Sequence, residues 1–316
     1  MRRRRLGARG PEISVIGYGA WEAGGTAWGP NESEDSVVSA IRAGLDAGID
    51  WIDTAEVFGD GVSERLVARA IRDRRDDVTV ATKVAPQPEG SGFRPEQVRS
   101  ACDGSLRRLG VEHLDLYQLH WPDETGVPVE DTWGAMTELQ DRGKVRAIGV
   151  SNFDRDLIER CLAIRHVDSL QPEFSMLDRT RAELIAWCGE RGVGVVSYGP
   201  LAYGLLTGAI GPDTRFAEGD WRGRPHEEGP FADLEGSLAV VDRLRPVADR
   251  LGCSLAQLAL AWNVHQPGVT AAIAGSRSAE HLRSNAAAGD LELDRATIDE
   301  LDGILAGAVE RGGPTG

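Results

Sequence analysis

Short apolar runs alternate with longer segments in which apolar residues recur every three or four positions, and the alternation continues along most of the chain. Runs of strand length fall at 13–20, 49–52, 78–84, 114–120, 145–150, 169–171, 193–197 and 270–274. Helical spacing appears between them. Val37, Ile41 and Leu45 share one face. A second helix is expected over 63–72. Pro95 opens another, in which Val98, Cys102, Ser105 and Leu109 repeat. Further helices are expected over 130–141, from a cap at Asp154 to about 164, and over 182–191, 279–287 and 295–305. Eight strand–helix units at intervals of roughly thirty residues, the length of a βαβ repeat, predict a closed α/β barrel of the (β/α)8 type. The whole chain, 1–316, is expected to form that single domain. One stretch breaks the rhythm. Residues 203–235, rich in Gly, Pro, Asp and Arg, are too long for a simple connector. Following the seventh strand, they form either a functional loop or lid, centred on 216–231, or a disordered insertion.

In such barrels the chemistry gathers at the C-terminal ends of the strands, whereas buried parallel strands are otherwise apolar. Here the strand ends carry Trp21, Asp53, Lys83, His120, Ser151 with Asn152, Gln171, Tyr198, and Ser276 with Arg277. One such polar group is most simply a satisfied core residue; polar groups at every end converge on a site. Lys83 stands out because Lys83 and Lys144 are the only lysines in a chain that otherwise uses arginine. A buried lysine shifts its pKa and arginine does not. Asp53 on the neighbouring strand gives a pair that tunes a third group, or else a structural ion pair. His120 closes Y-Q-L-H-W-P and can orient or donate to a substrate carbonyl. No second His or Cys lies near it in sequence, so no metal is expected. Gly17-Tyr-Gly19 begins a dinucleotide-type glycine pattern, but Glu22 occupies the third glycine position and a Rossmann unit is rejected.

Composition narrows the class further. The formal charge of −15, from 35 basic and 50 acidic residues, argues against nucleic acid or an anionic membrane as partner. The basic block Arg2–Arg5 reads as a solvated terminal strand or arm. No apolar run reaches the length of a membrane span, and no signal peptide is recognisable. The four cysteines, Cys102, Cys161, Cys188 and Cys253, are far apart in helix-like segments without metal or disulfide spacing, which fits a reducing cytosol. Oligomeric state is not specified by these features.

The segments G-Y-G-A-W, I-D-T-A-E-V-F-G-D-G-V-S-E, A-T-K-V, Y-Q-L-H-W-P, G-V-S-N-F, Q-P-E-F-S, S-Y-G-P-L and A-G-S-R-S-A-E-H-L-R-S-N follow one another from Gly17 to Asn285. In kind and order they resemble the aldo-keto reductase family. The resemblance implies an oxidoreductase that binds an extended NADP(H) on a (β/α)8 barrel and transfers hydride to or from a small carbonyl compound. It assigns Asp53, Lys83 and His120 to three of four catalytic positions, and places Gly19, Ala20, Trp21 and Asp53 beside the cofactor. It gives Ser151, Asn152 and Gln171 to the nicotinamide carboxamide and Tyr198 to stacking on the nicotinamide ring. Gly199, Pro200, Leu201 and Gly204 follow the pyrophosphate. Gly275, Ser276, Arg277 and His281 meet the 2′-phosphate, and Asn285 the adenine. His281 stands where many members carry Arg or Gln. Trp21, Phe58, His120 and Trp121 line the substrate mouth, and Trp28 either joins them or is a packing residue.

The fourth catalytic position is Phe58, where the family pattern has a tyrosine that protonates the carbonyl oxygen. A positioned general acid is worth roughly 10²–10⁴-fold. Tyr117 and Tyr18 are out of phase with the mouth, and only Tyr203 remains as a stand-in. The chain is then a Tyr→Phe variant of an active reductase, a natural enzyme for an iminium or conjugated C=C (an imine or enone substrate), or a catalytically idle NADP-binding sensor with a protein partner.

Overall fold

The protein, described here as a computed structural model, is seen at residues 1–25, 27–29, 33–85 and 91–309. The expected domain 1–316 includes positions 310–316, which lie outside the described residues. A terminal hairpin joins β1 (Arg3–Arg5) to β2 (Glu12–Ser14). The barrel strands are β3 (Ile16–Gly19), β4 (Trp51–Asp53), β5 (Thr79–Val84), β6 (Leu114–Leu119), β7 (Val145–Ser151), β8 (Ser169–Gln171), β9 (Gly194–Ser197) and β10 (Ala271–Gly275). Around them run α1 (Glu34–Asp46), α2 (Val62–Ile71), α3 (Pro95–Leu109), α4 (Val129–Asp141), α5 (Arg155–Leu162) and α6 (Ala182–Glu190). The outer layer is completed by α7 (Leu234–Leu251), α8 (Leu255–His265), α9 (Ala279–Ala287) and α10 (Arg295–Val309). The eight barrel strands are all parallel, in the order β10-β3-β4-β5-β6-β7-β8-β9. The ring closes where Ala271 pairs with Val196.

The helices form where the sequence marks them. Pro95 opens α3, and Gly110 ends it in a left-handed conformation at φ 67°. Asp154 caps α5 by accepting from Leu157 N, and Ser254 with Gln257 makes a capping box at α8. The structure corrects two expectations. The run 13–20 is two strands, because Ser14 turns the chain: its Oγ donates to Ile16 O at 2.7 Å and its N–H to Asp50 Oδ1 at 2.7 Å. Cys253 lies in the short link between α7 and α8, outside either helix.

Alternation along each strand sorts side chains between two cores. One set faces the helices, including Tyr18, Tyr117, Val80, Ile148 and Leu170. The other fills the barrel: Trp51, Ala81, Leu116, Ala147, Val196, Ala271 and Ile273, joined by Leu6 and Ile13 of the hairpin. Trp51 takes the space that Gly17 leaves, since a Cβ on Gly17 would fall 2.1 Å from its indole. The hairpin seals the barrel floor. Its arginines are not a free arm: Arg4 Nη1 donates to Val264 O and Val269 O at 2.7 and 2.8 Å, and Arg2 Nε to Gly289 O at 2.8 Å. No helix among the described residues is long and apolar enough to cross a membrane.

Leu6 is buried in this plug, while the neighbouring Arg5 is exposed. Leu6→Ala should cost about 2–5 kcal/mol in urea unfolding. Arg5→Ala should stay within about 0.5 kcal/mol.

Candidate active site

Two residues up each strand from the apolar barrel layer, the inward-facing positions become polar. Trp51 is followed by Asp53, Ala81 by Lys83, Ala147 by Gly149 and Ser151, Ser169 by Gln171, and Val196 by Tyr198. Asp53 and Lys83 are buried on adjacent strands, with Lys83 Nζ 2.6 Å from Asp53 Oδ2 and 3.1 Å from Thr54 O. The other carboxylate oxygen, Oδ1, accepts from Gln171 Nε2 at 2.8 Å. Since β8 lies opposite β4 in the ring, this bond crosses the barrel. Burial pulls the Lys83 ammonium below its ordinary pKa, and Asp53 opposes that pull.

Phe58 and His120 stand above this floor, their rings edge-to-face at 5.6 Å between centroids. Lys83 Nζ lies 5.2 Å from the centre of the Phe58 ring. Trp121 packs on His120 at 4.7 Å, and Trp21 approaches Phe58 at 6.3 Å. His120 is pushed well below its ordinary pKa by burial and then by the charge on Lys83, so its imidazole is neutral at pH 7. Its Nδ1 is buried without a hydrogen-bond partner among the described residues. Phe58 is presented by a tight turn: Gly59, Asp60 and Gly61 have φ of 64°, 51° and 74°. Gly59 must lack a side chain, because a Cβ there would meet Gly24 O at 2.2 Å.

The other strand-end residues are tied to one another. Ser151 Oγ donates to Gln171 O at 2.8 Å. Asn152, at φ 62°, donates from Nδ2 to His120 O at 3.1 Å and accepts from the Tyr198 hydroxyl at 2.9 Å. Beyond Tyr198 the chain runs through Gly199, Pro200 and Leu201 to Gly204, with positive φ at Gly199, Ala202, Tyr203 and Gly204. At the end of β10, a Cβ on Gly275 would lie 2.9 Å from Gly19 O. Ser276 and Asn285 are buried, His281 is exposed, and Ser276 Oγ is 3.3 Å from His281 Nδ1. Arg277 donates to Trp28 O at 3.0 Å and Gly29 O at 3.3 Å. Ala20 is held at the mouth by its N–H bond to Asp53 O at 2.8 Å.

The long segment after β9 is folded against the β3–α1 loop. Trp221 N donates to Ala27 O at 3.0 Å, and Trp28 bridges Asp220. Arg222 grips Asp220 at 3.0 and 2.6 Å, donates to Tyr203 O at 3.2 Å, and lies over the Trp28 ring at 4.5 Å. Trp21, Trp28, Tyr203 and Trp221 pack as one aromatic group, with Phe216, His226 and Phe231 extending it. Trp28 is therefore buried, packed under the lid. Tyr203 is no stand-in for the acid at Phe58: its hydroxyl bonds the Glu173 carboxyl, and burial raises its pKa far above the ordinary value. Tyr18 and Tyr117 face the helices.

Two acids went unread in the sequence. Glu56, three residues after Asp53, faces away from the mouth, accepting from Ala85 N at 2.8 Å and from Arg108 at 3.4 Å. Arg108 also bonds the fully buried Glu64, which accepts from Thr82 Oγ1 at 2.7 Å. Glu22, directly after Trp21, lies among Arg277, Arg222 and His281. An acid following a strand-end residue was the available signal in both cases. No group of three or more His, Cys, Asp or Glu converges as a metal site among the described residues.

The sequence pattern of the Aldo/keto reductase family matches residues 15–306. The chain is 37% identical over 284 residues to aldo-keto reductase YhdN of Bacillus subtilis (strain 168), covering 87% of this chain and 85% of that protein. It is 32% identical over 333 aligned positions to the NADH-specific methylglyoxal reductase of Escherichia coli (strain K12), covering 98% and 100% respectively. Among solved structures it superposes on an aldo-keto reductase from Klebsiella pneumoniae in complex with NADPH. The TM-score is 0.73 and the identity 31%, with 96% of each chain covered.

Glu56 carries a prediction about pH. Burial, with Glu64 adding repulsion, pushes its carboxyl up to about 7. An unfolded glutamate titrates near 4.3, so between these values the native state binds more protons and stability falls as pH rises. The contribution is fully present below about 4.3 and lost by about 7, on the order of 3 kcal/mol at most. Urea unfolding of E56Q should show a smaller loss of stability between pH 5 and pH 8 than the unaltered protein, by about 1–3 kcal/mol.

Proposed function

The chain belongs to the aldo/keto reductase family, and on that premise we propose that it is an NADP(H)-dependent oxidoreductase transferring hydride between the nicotinamide and a small carbonyl compound. The observation that carries the proposal is the buried Lys83–Asp53–Gln171 bridge beneath a neutral His120, at the C-terminal mouth of the barrel. A charge buried at that depth is costly to hold, and removing one partner strands the other at high cost.

The strand ends fit such a cofactor. Gly19 and Gly275 approach too closely to carry side chains, which leaves backbone exposed for an extended ligand. Ser276, Arg277 and the start of α9 offer donors and positive potential to a phosphate. The NADPH complex of the Klebsiella relative supports this choice of cofactor. In the proposed assignment Ser151, Asn152 and Gln171 hold the carboxamide and Tyr198 stacks on the ring. Gly199, Pro200, Leu201 and Gly204 follow the pyrophosphate. Ser276, Arg277, His281 and Asn285 hold the adenosine end. Trp21, Phe58, His120 and Trp121 form the substrate wall, and the Trp221–Tyr203 lid keeps water out. When bound, the reduced nicotinamide supplies hydride. Asp53 holds Lys83 charged beside the developing alkoxide, and His120 orients the carbonyl oxygen. Phe58 has no proton to give.

That missing proton supports a second reading. Hydride addition to an iminium ends at a neutral amine and needs no proton, and addition to a conjugated C=C gives an enolate that solvent water can protonate at carbon, so neither would need the hydroxyl on the reacting oxygen. The neutral His120 and the aromatic wall suit such a substrate equally well.

Fluorescence titration should show NADPH binding, and its absence would defeat both readings. Phe58→Tyr should raise kcat/KM on an aldehyde panel by about 10²–10⁴-fold. No gain, together with turnover of an imine or enone by the unaltered protein, selects the second.

A further inference from the structure

We propose that Glu22 is a specificity-determining residue for the cofactor: an internal anion lodged against the Gly275–Arg277 segment that disfavours a 2′-phosphate and so shifts the choice from NADPH toward NADH. The proposal rests on the cofactor reading above and adds a residue to it.

Glu22 opens the single 3-10 turn Glu22–Gly24, directly after Trp21 at the end of β3. β3 pairs with β10, Gly19 opposite Gly275, so the turn stands beside the segment Gly275, Ser276, Arg277. The contact is close: Glu22 Oε1 would lie 3.3 Å from a Cβ on Gly275. The positively charged or chargeable groups around its carboxyl are Arg277 and His281 from the β10–α9 side and Arg222 from the lid. Asp220 faces it with like charge, and Tyr18 of β3 feels its charge. Arg222 is already matched by Asp220 through two hydrogen bonds. Glu22 is thus a carboxyl group acting on Arg277 and His281, two of the groups assigned to a 2′-phosphate. Its burial raises its pKa, and the surrounding cations oppose that rise.

The consequence differs for the two cofactors. A 2′-phosphate carries close to two negative charges and enters beside a carboxylate from which water is largely excluded, where like charges repel more strongly than in bulk water. A ribose 2′-hydroxyl brings no charge and can donate to the same carboxylate. Removing the charge at position 22 therefore favours NADPH selectively.

The test is fluorescence titration of NADPH and NADH on the unaltered protein, E22Q and E22D, with E22A as a second neutral variant should E22Q fold poorly. E22Q should tighten NADPH at least about tenfold and leave NADH within about twofold. E22D, which keeps the charge, should retain the original ratio. The NADPH gain should shrink as salt is raised. Equal tightening of both cofactors, or an unchanged ratio in both neutral variants, overturns the role of Glu22 and leaves the cofactor reading intact. Failure of the unaltered protein to bind NADPH removes the cofactor reading and this proposal together.

Discussion

A carboxylate buried inside a parallel barrel cannot stand alone. Asp53 reaches the barrel axis because parity along β4 puts it there, and its charge must then be met from inside the ring. Lys83 meets one oxygen from the adjacent strand and Gln171 the other from across the barrel. These two bonds set the floor of the mouth. They also tie together β4, β5 and β8, and through Ser151 Oγ on the Gln171 carbonyl they reach β7. The polar layer is thus a cross-brace as well as a candidate site, and the same bonds serve both purposes.

Above that floor the mouth is poor in protons. His120 is held neutral by burial and by the ammonium beneath it. Tyr198 is committed to Asn152 and Tyr203 to Glu173, and the rings packed on His120, Trp121 and Phe58, carry no phenol. The lid adds aromatic surface without adding an acid. The mouth thus brings together charge, amide and aromatic groups, and Phe58 stands among them as a ring without a polar atom.

Much of this was legible in the sequence. Strand parity alone picks out Asp53, Lys83, Ser151 and Tyr198, because each lies an even number of residues beyond an apolar barrel position; Gln171 follows the polar Ser169 and is marked by its place at a strand end. The same parity excludes Tyr18 and Tyr117. What stayed hidden depends on approach through space. The Gln171–Asp53 bond joins opposite strands, and no local pattern announces it. Glu56 and Glu64 share Arg108 from a third segment. The lid latch of Asp220, Arg222 and Trp28 unites two loops whose composition shows only that they are irregular. Trp28 stayed open between mouth and packing because sequence cannot distinguish an aromatic beneath a lid from one beside a substrate.

The sealed barrel floor has a consequence for biosynthesis. Leu6 and Ile13 are synthesised well before their partners: the cavity they fill is lined by Val196, Ala271 and Ile273, and Arg2 and Arg4 bind carbonyls at 264, 269 and 289. The hairpin must wait, unpartnered, while nearly the whole chain is made. Sealing the barrel is therefore a late, long-range step. Until then the apolar side chains of Leu6 and Ile13 lack the barrel lining that buries them, and unburied apolar surface of this kind favours aggregation.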